Sequence, residues 1–378
     1  MFKFLLIIIS LVVFSNNNAF AQQSTTAKQA YVIDYETGQI LLDKDSTAKM
    51  PTSSMSKVMT TYMVFDALKN KRIALDDKFL VSEKAWAKGG SKMFVGQGSK
   101  IKIEDLLRGV IIQSGNDATI VLAEGLEGSE ENFAKKMTSK ALEIGMENSN
   151  FTNASGWPDP NHYSTARDLA IMSRRMIEDY PQYYKLFAEK EYSYANINQA
   201  NRNPLLYSDI GADGLKTGHT EVGGYGLIGT AVKGGRRVLM VLNGMDSEKT
   251  RKSESVRLIT WGLDNFINKT IFEKGNMVAT VPVTMGKSID VKLVANDNIK
   301  LTLPKAPKDN FKIEITYKSP IIAPIQQGDE AGIMTVKIPN MGDTTYPVYF
   351  ANDVEKLGFF RGTFTKIKHF FFEQLEQI

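Results

Sequence analysis

The sequence contains no cysteine in 378 residues, so disulfide bonds, thiolate metal sites and a cysteine nucleophile are excluded. Only three histidines are present, which leaves few candidates for a His-rich metal site or a Ser-His-Asp triad. A large charge of one sign is also missing, since 46 Lys and Arg face 42 Asp and Glu, and this balance argues against a nucleic-acid partner. Hydrophobic residues make up 43% of the chain and charged residues 23%, a globular composition that suggests two domains.

The N-terminus has the pattern of an export signal. Lys3 supplies a positive charge, residues 4–14 are almost entirely apolar, and Ala19 and Ala21 place small residues before a cleavage point. The apolar run is shorter than the about 20 residues that cross a bilayer. We therefore predict that residues 1–21 are a signal peptide and that the chain is exported. An uncleaved anchor is the alternative.

The next region, residues 28–268, combines strand and helix patterns. Apolar runs at 30–34 and 39–42 predict a hairpin, and helical spacing dominates from there to about residue 190. We predict helices at 55–68, 103–112, 118–126, 131–144, 166–180 and 256–268, and strands at 224–230 and 237–243. This order predicts an α+β domain built around an antiparallel sheet.

Residues 275–350 alternate apolar and polar side chains at period two, as at Ile289, Val291 and Leu293. Such alternation, punctuated by Gly and Pro, is typical of half-buried strands and predicts a small all-β domain.

Residues 353–378 change pattern again and carry an apolar stripe at helical spacing. Its members are Leu357, Phe360, Phe364, Ile367, Phe371 and Leu375. Basic residues accompany the stripe, and the stretch is too polar to cross a membrane. We predict an interfacial amphipathic helix that lies on an anionic bilayer. A terminal helix packed on the protein's own core is the alternative.

Ser54 and Lys57 form an S-x-x-K pair at the start of the first predicted helix. Residues three apart on a helix share one face, and a serine nucleophile needs a neighbouring base. A lysine can act as that base only when neutral, so its reference pKa of about 10.4 must fall by roughly three units. The helix N-terminus would also favour negative charge on Ser54. Such pairs occur by chance in most chains of this length.

Two further short motifs carry polar groups suited to a substrate. Ser114 and Asn116 flank a glycine before a predicted helix, where helix capping is the alternative role. Lys216, Thr217 and Gly218 precede a strand-like run. On an edge strand the first two would present a cation and a hydroxyl to a carboxylate, and Gly218 would let the backbone approach the substrate closely. Each motif alone has little specificity.

In this order, the three motifs resemble the signature of penicillin-recognising serine enzymes. Over essentially its whole length the chain is similar to low-molecular-mass penicillin-binding proteins, specifically serine-type D-alanyl-D-alanine carboxypeptidases of peptidase family S11. The similarity includes the segments 51–54, 107–109, 113–118, 159–168, 216–220 and 258–262. It implies a serine β-lactamase/transpeptidase-like catalytic domain, a small all-β domain and a C-terminal amphipathic helix, with no metal or organic cofactor.

The resemblance also implies catalytic roles. Ser54 matches the acylated nucleophile, and Lys57 matches the base that takes its proton. Ser114 matches a serine that passes the proton to the leaving D-alanine or helps to activate the deacylating water. Asn116 matches a residue that orients Lys57 and the substrate.

The substrate-binding residues are implied in the same way. Lys216 matches a cation that binds substrate and helps to keep Lys57 neutral, with Thr217 and Gly218 in the same motif. The backbone N–H groups of Ser54 and His219 match an oxyanion hole. Arg251 matches an arginine that holds the terminal carboxylate, for which a guanidinium is well suited.

The histidines have competing interpretations. The imidazole of His219 could instead act as a general base beside the serine. His162 is expected to be structural.

The implied reaction removes the terminal D-alanine from peptidoglycan stem pentapeptides, and β-lactams are implied as acylating inhibitors. The implied location is the periplasmic face of the cytoplasmic membrane. A β-lactamase would share the motifs, but the E-x-x-L-N motif of class A enzymes is absent between Asn116 and Lys216. A D,D-endopeptidase of the same family and a non-catalytic envelope protein that binds wall peptides are the remaining alternatives.

Overall fold

The computed structural model describes residues 23–305, 311–339, 341 and 343–358, together with the backbone of residues 4–9. The chain divides into two compact units. The catalytic unit comprises Gln22–Asn265, and the β unit comprises Phe266–Ile378 together with Met1–Ala21. Residue 268, the predicted end of the first domain, lies inside a strand of the β unit, Phe266–Phe272.

The strands, numbered in chain order, are β1 (Phe4–Ile9), β2 (Gln29–Asp34), β3 (Ile40–Lys44), β4 (Lys78–Leu80), β5 (Lys100–Lys102), β6 (Glu191–Tyr194), β7 (Ile197–Ala200), β8 (Ala212–Thr220), β9 (Gly224–Lys233), β10 (Arg236–Met245), β11 (Phe266–Phe272), β12 (Met277–Thr284), β13 (Asp290–Val294), β14 (Ile299–Pro304), β15 (Lys312–Lys318), β16 (Ile321–Ile322), β17 (Glu330–Lys337) and β18 (Thr344–Phe350). The helices are α1 (Lys57–Lys69), α2 (Glu83–Ala87), α3 (Ile103–Ile111), α4 (Asn116–Glu127), α5 (Glu130–Glu143), α6 (Ala166–Asp179), α7 (Pro181–Tyr184) and α8 (Glu248–Asp264).

The catalytic unit is built on the antiparallel sheet β3-β2-β10-β9-β8, against which α6 and α8 pack. This confirms the predicted α+β class, the first hairpin and the two later strands. β8, which carries Lys216, is an edge strand, as expected. Helices α1, α3, α4 and α5 pack together, and α1 is buried on nearly all sides. A helix that is apolar all round belongs to a core. The buried helix α1 therefore holds Lys57, its first residue, in a fixed position.

The helix predicted at 256–268 is shifted along the chain. α8 begins at Glu248 because the Ser247 hydroxyl caps it by accepting a hydrogen bond from the Thr250 N–H at 3.0 Å. The helix ends at Asp264, and the next residues form β11, which pairs with β14. The apolar spacing missed the first two turns because residues 248–255 include no apolar side chain, even at the buried positions Arg251 and Ser255.

The β unit contains the sheet β1-β15-β17-β18-β13-β12-β16 and the separate pair β11-β14. This confirms the predicted all-β architecture. Val291 and Leu293 on β13 are buried in its core, as alternation requires. Ile289 shares their parity but lies just before the strand and is 83% exposed.

The predicted terminal segments fall mostly outside the described residues. Phe4–Ile9 of the predicted signal peptide form β1, antiparallel to β15, and residues 10–21 are not described. The helix predicted from residue 353 is wrong at its start, because Val354 is buried and bridges to Ile325 instead. Residues 359–378 lie outside the described part, so the rest of that helix stays a prediction. Within the described residues, every helix is too short or too polar to traverse a bilayer.

Candidate active site

Ser54 and Lys57 lie side by side at the entrance to α1. Ser54 belongs to a 3-10 turn, Ser53–Ser56, and the α-helix itself begins only at Lys57. Side chains three apart eclipse one another in a 3-10 turn, and Lys57 Nζ is 2.8 Å from Ser54 Oγ. The turn therefore corrects the predicted start of the helix while it keeps the predicted pairing.

The Lys57 amine is enclosed by three oxygen atoms. Besides Ser54 Oγ, Nζ lies 2.7 Å from Asn116 Oδ1 and 2.7 Å from the Ser155 carbonyl oxygen. Burial, reinforced by the positive charge of Arg202, lowers the pKa of Lys57 to about 7. A substantial fraction of the amine is consequently neutral near pH 7, as a general base requires.

Asn116 holds a bridging position between two loops. Its Oδ1 accepts from Lys57 while its Nδ2 donates to the Gly89 carbonyl at 2.9 Å. Ser114, two residues earlier, is buried and has a left-handed φ of 60° in the turn between α3 and α4. Among the described residues no hydrogen bond joins the Ser114 hydroxyl to Lys57. The structure thus brings Asn116 to the base directly and places Ser114 only in the adjoining turn.

A loop that sequence reasoning left out supplies the third partner of Lys57. The Ser155 carbonyl accepts from Lys57, and Gly156 follows with φ +76°. A Cβ at Gly156 would lie 1.7 Å from the Ser53 carbonyl oxygen. Only glycine permits this approach between the loop and the turn Ser53–Ser56. A single sequence does not distinguish such a glycine from the others.

The edge strand β8 brings the third motif to the same place. Lys216 and Thr217 are both buried, and Lys216 Nζ donates to the Thr217 carbonyl at 3.2 Å. A Cβ at Gly218 would meet the Thr52 carbonyl at 2.9 Å. The missing side chain at Gly218 therefore lets β8 approach the chain's own turn Ser53–Ser56, and the approach of Gly218 to the substrate stays a prediction.

Arg251 and His219 are linked by an aromatic ring. Tyr225 stacks on the imidazole with ring centroids 3.9 Å apart, and the Arg251 guanidinium lies 5.5 Å from the same ring. Arg251 is buried, donates to Glu248 at 2.9 Å and leaves its Nε without a hydrogen-bond partner. A buried guanidinium with a free N–H is suited to binding an anion. The His219 side chain is exposed.

Arg202 is a site residue that the sequence analysis missed. Its guanidinium donates to Ser91 Oγ at 2.6 Å, which fixes it beside the loop that holds Asn116. Its positive charge lowers the pKa of both Lys57 and Lys216. Burial is the larger cause for Lys216, whose pKa falls well below its usual value. An isolated arginine in a loop offers no motif by which it could have been found.

His162 contacts the 3-10 turn Ser53–Ser56, the serine turn, through Ser56. Its Nδ1 accepts from the Thr152 N–H at 3.2 Å, so its Nε2 carries the proton and donates to Ser56 Oγ at 2.8 Å. Burial lowers the pKa of His162 to about 4. The ring is therefore neutral near pH 7, and its contacts are those of the structural role predicted for it.

An apolar groove of about 530 Å³ adjoins the serine turn. Its walls include Ser53, Gly156, Trp157, Thr220 and Val222. The groove lies beside the Ser54–Lys57 pair, since neither of these residues lines it and its other walls include His162. Among the described residues, no cluster of His, Asp and Glu is arranged to hold a metal ion.

Comparison with known proteins matches both units. Residues 16–247 match the model of peptidase family S11, described as D-alanyl-D-alanine carboxypeptidase. Residues 266–356 match the model of the penicillin-binding protein 5 C-terminal domain. The D-alanyl-D-alanine carboxypeptidase DacC of Escherichia coli K12 is 35% identical over 356 residues, which cover 90% of this chain and 89% of that protein.

Two solved structures extend the comparison. Penicillin-binding protein 5 from Haemophilus influenzae has a TM-score of 0.78 and 34% identity, and the match covers 89% of this chain and 99% of that one. Penicillin-binding protein D2 from Listeria monocytogenes, solved with ampicillin bound, has a TM-score of 0.59 and 28% identity over 65% of this chain and 100% of that one.

Proposed function

Because the chain belongs to the S11 family of serine-type D-alanyl-D-alanine carboxypeptidases, we propose that Ser54 is its nucleophile and forms the acyl-enzyme. Ser54 attacks the carbonyl between the last two D-alanines of a peptidoglycan stem pentapeptide. The terminal D-alanine leaves, and water hydrolyses the ester to release a tetrapeptide. Removal of pentapeptides limits the donors for cross-linking and so acts in wall maturation.

The observation that carries this proposal is the Ser54–Lys57 pair. A neutral Lys57 amine, 2.8 Å from Ser54 Oγ, takes the hydroxyl proton as the carbon–oxygen bond forms. Its lowered pKa of about 7 lets it serve as base in acylation and again, after returning the proton to the leaving amine, in deacylation. Asn116 keeps the amine aimed at the serine, and Ser114 is the proposed relay to the leaving D-alanine.

Cationic side chains favour a substrate with a free carboxylate. Lys216 and Arg251 are both buried, and burial lowers the pKa of each. A buried cation costs free energy until a counter-charge compensates it. We assign the terminal carboxylate to these two groups with the Thr217 hydroxyl. The backbone N–H groups of Ser54 and His219 receive the oxyanion.

The same site accounts for β-lactams as inhibitors. A penicillin presents a strained amide with a carboxylate beside it, in the place of the terminal dipeptide. Ser54 opens that amide and becomes acylated. The leaving group stays attached to the inhibitor, so it blocks the approach of water.

The ends of the chain support a location at the cell envelope. Residues 1–21 export the chain, and cleavage after Ala21 removes β1 from the edge of the sheet. Residues 359–378 carry the dense aromatic and basic pattern of an interfacial helix. We propose that the enzyme is peripheral at the periplasmic face of the cytoplasmic membrane and that residues 359–378 are its anchor.

The test is release of D-alanine from a diacyl-Lys-D-Ala-D-Ala peptide by residues 22–358. This span keeps Val354–Leu357, which pair with the β unit. We expect the parent to release D-alanine and Ser54→Ala to release none. Circular dichroism verifies that both proteins are folded. If neither releases D-alanine while the parent cleaves a cross-linked dimer, the enzyme is a D,D-endopeptidase. If neither substrate is cleaved, the catalytic assignment fails.

A further inference from the structure

We propose that the end of the β unit from which the C-terminal segment leaves is itself a lipid-contacting surface. We call this surface, residues 283–289 with Ile322, the hairpin end. On this proposal Ile289 and Ile322 enter the interface of an anionic membrane beside the C-terminal segment. The proposal rests on the membrane tether of the proposed function and adds to it a second contact, made by the folded unit.

The first observation is that the apolar side chain of Ile289 faces solvent. Ile289 is 83% exposed, the largest exposure of any large apolar side chain in the described part of the chain. Its alternation partners Val291 and Leu293 are 2% and 0% exposed. The pattern in the sequence continues past the sheet, where no protein partner covers it among the described residues.

A second exposed isoleucine flanks the same strand end. The Val283 N–H donates to the Ile289 carbonyl at 2.8 Å on one side of β12. On the other side Thr284 pairs with Ile322, which is 52% exposed. Since neighbouring strands lie about 4.8 Å apart, the two isoleucines flank one strand end roughly 10 Å across. Single exposed apolar residues are ordinary. Ile289 has the parity of Val283 and Ile322 that of Thr284, so the two side chains lie on opposite faces at the same end of the sheet. A membrane that receives this end edge-on contacts both.

The third observation is where the chain leaves the β unit. The Leu357 N–H donates to the Met285 carbonyl at 2.9 Å, and the Lys287 N–H donates to the Glu355 carbonyl at 2.7 Å. The following residues begin with Phe359 and Phe360. Three residues span at most about 11 Å. A membrane that holds these phenylalanines must therefore come within about that distance of the hairpin end.

Charge selects the kind of membrane. From Lys356 to Lys368 the chain has four basic residues and no acidic one, and this segment starts at the hairpin end. Basic residues next to a bilayer favour anionic lipid headgroups. At the junction itself, Lys287 is paired with Glu355. Asp290, next to Ile289, is an exposed carboxylate, so the hairpin end enters only as far as the headgroup region, where that charge keeps its water.

The absence of cysteine makes a direct test possible. In the chain 22–378, Ile289→Cys gives a single thiol for an environment-sensitive NBD label. The matched control is Ile333→Cys, because Ile333 is 46% exposed on β17. It lies three strands from β12, about 14 Å away. Each protein is mixed with vesicles of 30% phosphatidylglycerol in phosphatidylcholine, and with phosphatidylcholine alone. Calorimetric unfolding of the β unit verifies that both variants fold, because acylation reports on the catalytic unit alone.

We expect NBD emission at residue 289 to rise and shift to the blue with the anionic vesicles, and to be quenched by brominated lipid. The label at residue 333 stays unchanged. A protein that floats with the vesicles but shows no change at 289 overturns the hairpin proposal and leaves the tether intact. A protein that does not float overturns both. A blue-shifted label at 289 without vesicles also overturns it, because the C-terminal segment or a second copy then covers this surface.

A second measurement removes dependence on the label. Ile289→Asn is expected to weaken vesicle binding by roughly three- to tenfold, whereas Ile333→Asn changes it by less than about twofold. Release of D-alanine from a soluble peptide stays at the parent rate in both. Equal vesicle affinity for the two variants contradicts the proposal.

Discussion

The two units of this protein treat buried polar groups in opposite ways. The catalytic unit buries Lys57, Lys216 and Arg251 around one serine, together with His162. In the described part of the β unit, tyrosine aside, Thr302 is the buried polar side chain, and its hydroxyl donates to Asn268 at 2.9 Å. Burying a charge costs free energy unless it is compensated. The comparison teaches that this protein accepts the cost where the chemistry needs perturbed groups.

Replacement of Lys57 is expected to have the largest effect among the tests of this difference between the two units. Lys57→Met keeps the volume and removes the amine, and we expect acylation by penicillin to fall by about 10³-fold or more. Because the folded pKa of Lys57 is about 7 and its unfolded value is about 10.4, the parent loses stability as pH falls from about 10 to about 7.

That contribution is absent from the variant. Urea unfolding at pH 6 and pH 10 checks this: the stability of Lys57→Met relative to the parent should improve at the lower pH, by up to about 4 kcal/mol. A relative stability that is the same at both pH values would contradict a buried lysine with a lowered pKa.

A purely steric change in the catalytic unit should have the next largest effect. Gly156→Ala puts a Cβ 1.7 Å from the Ser53 carbonyl, so the loop that holds Lys57 must move. A displacement of about 1 Å at a reacting pair costs on the order of 100-fold in rate, measurable as acylation by fluorescent penicillin.

Gly128→Ala is the matched control. Gly128 has the same φ of +76°, and nothing lies within 4 Å of its added Cβ. It should lose about 1 kcal/mol of stability and no activity. Equal activity losses in the two variants would show that backbone strain, and not the clash, is responsible.

A remote charge should shift the pH profile without abolishing the reaction. Acylation requires neutral Lys57, so the rate rises with pH through a midpoint near 7. Arg202→Gln removes a cation that lowers the pKa of Lys57, and the midpoint therefore moves to higher pH. Comparison of the rates at pH 6 and pH 9 checks this, since the ratio of parent to variant should be greater at pH 6. A uniform loss at all pH values would assign Arg202 to substrate binding alone.

The smallest effect on catalysis is expected from the core of the β unit. Leu293→Ala creates a cavity among fully buried side chains and should lower the stability of that unit by about 2–5 kcal/mol. Acylation of Ser54 should remain within about twofold of the parent, because each unit has its own hydrophobic core. Calorimetry follows the first quantity and penicillin labelling the second. A large loss of acylation would make the two units energetically dependent.

Most of the fold could be predicted because the spacing of apolar residues, and the Gly and Pro residues that interrupt it, are local properties of the sequence. The hairpin of β2 and β3, the helix α1 and the strands β13 to β15 follow directly from apolar spacing. Prediction failed where a boundary depended on something else. α8 starts at the Ser247 cap, ahead of its apolar stripe. Val354 joins the β core although its neighbours in sequence continue a helical pattern.

The candidate site was only partly readable. The three motifs identify Ser54, Lys57, Asn116 and Lys216 because the chemistry needs those residue types at those spacings. Arg202 and Tyr225 also lie at the site, but neither belongs to a short sequence motif by which it could be predicted. The third motif did not indicate that the missing side chain of Gly218 also accommodates Thr52, because that contact joins segments far apart along the chain.

By itself, the sequence determined which chemical groups are available: a serine, lysines, amides and arginines, without thiols and with few imidazoles. Only the tertiary structure decided that the Lys57 amine is buried among three oxygen atoms and that Arg202 lies near enough to lower the pKa of Lys57. It also decided that Ile289 remains outside the core of the β unit. The physical reason is that pKa shifts and burial are set by neighbours in space. For Lys57, apart from Ser54, these are Asn116, Ser155 and Arg202, which lie 59, 98 and 145 residues away along the chain.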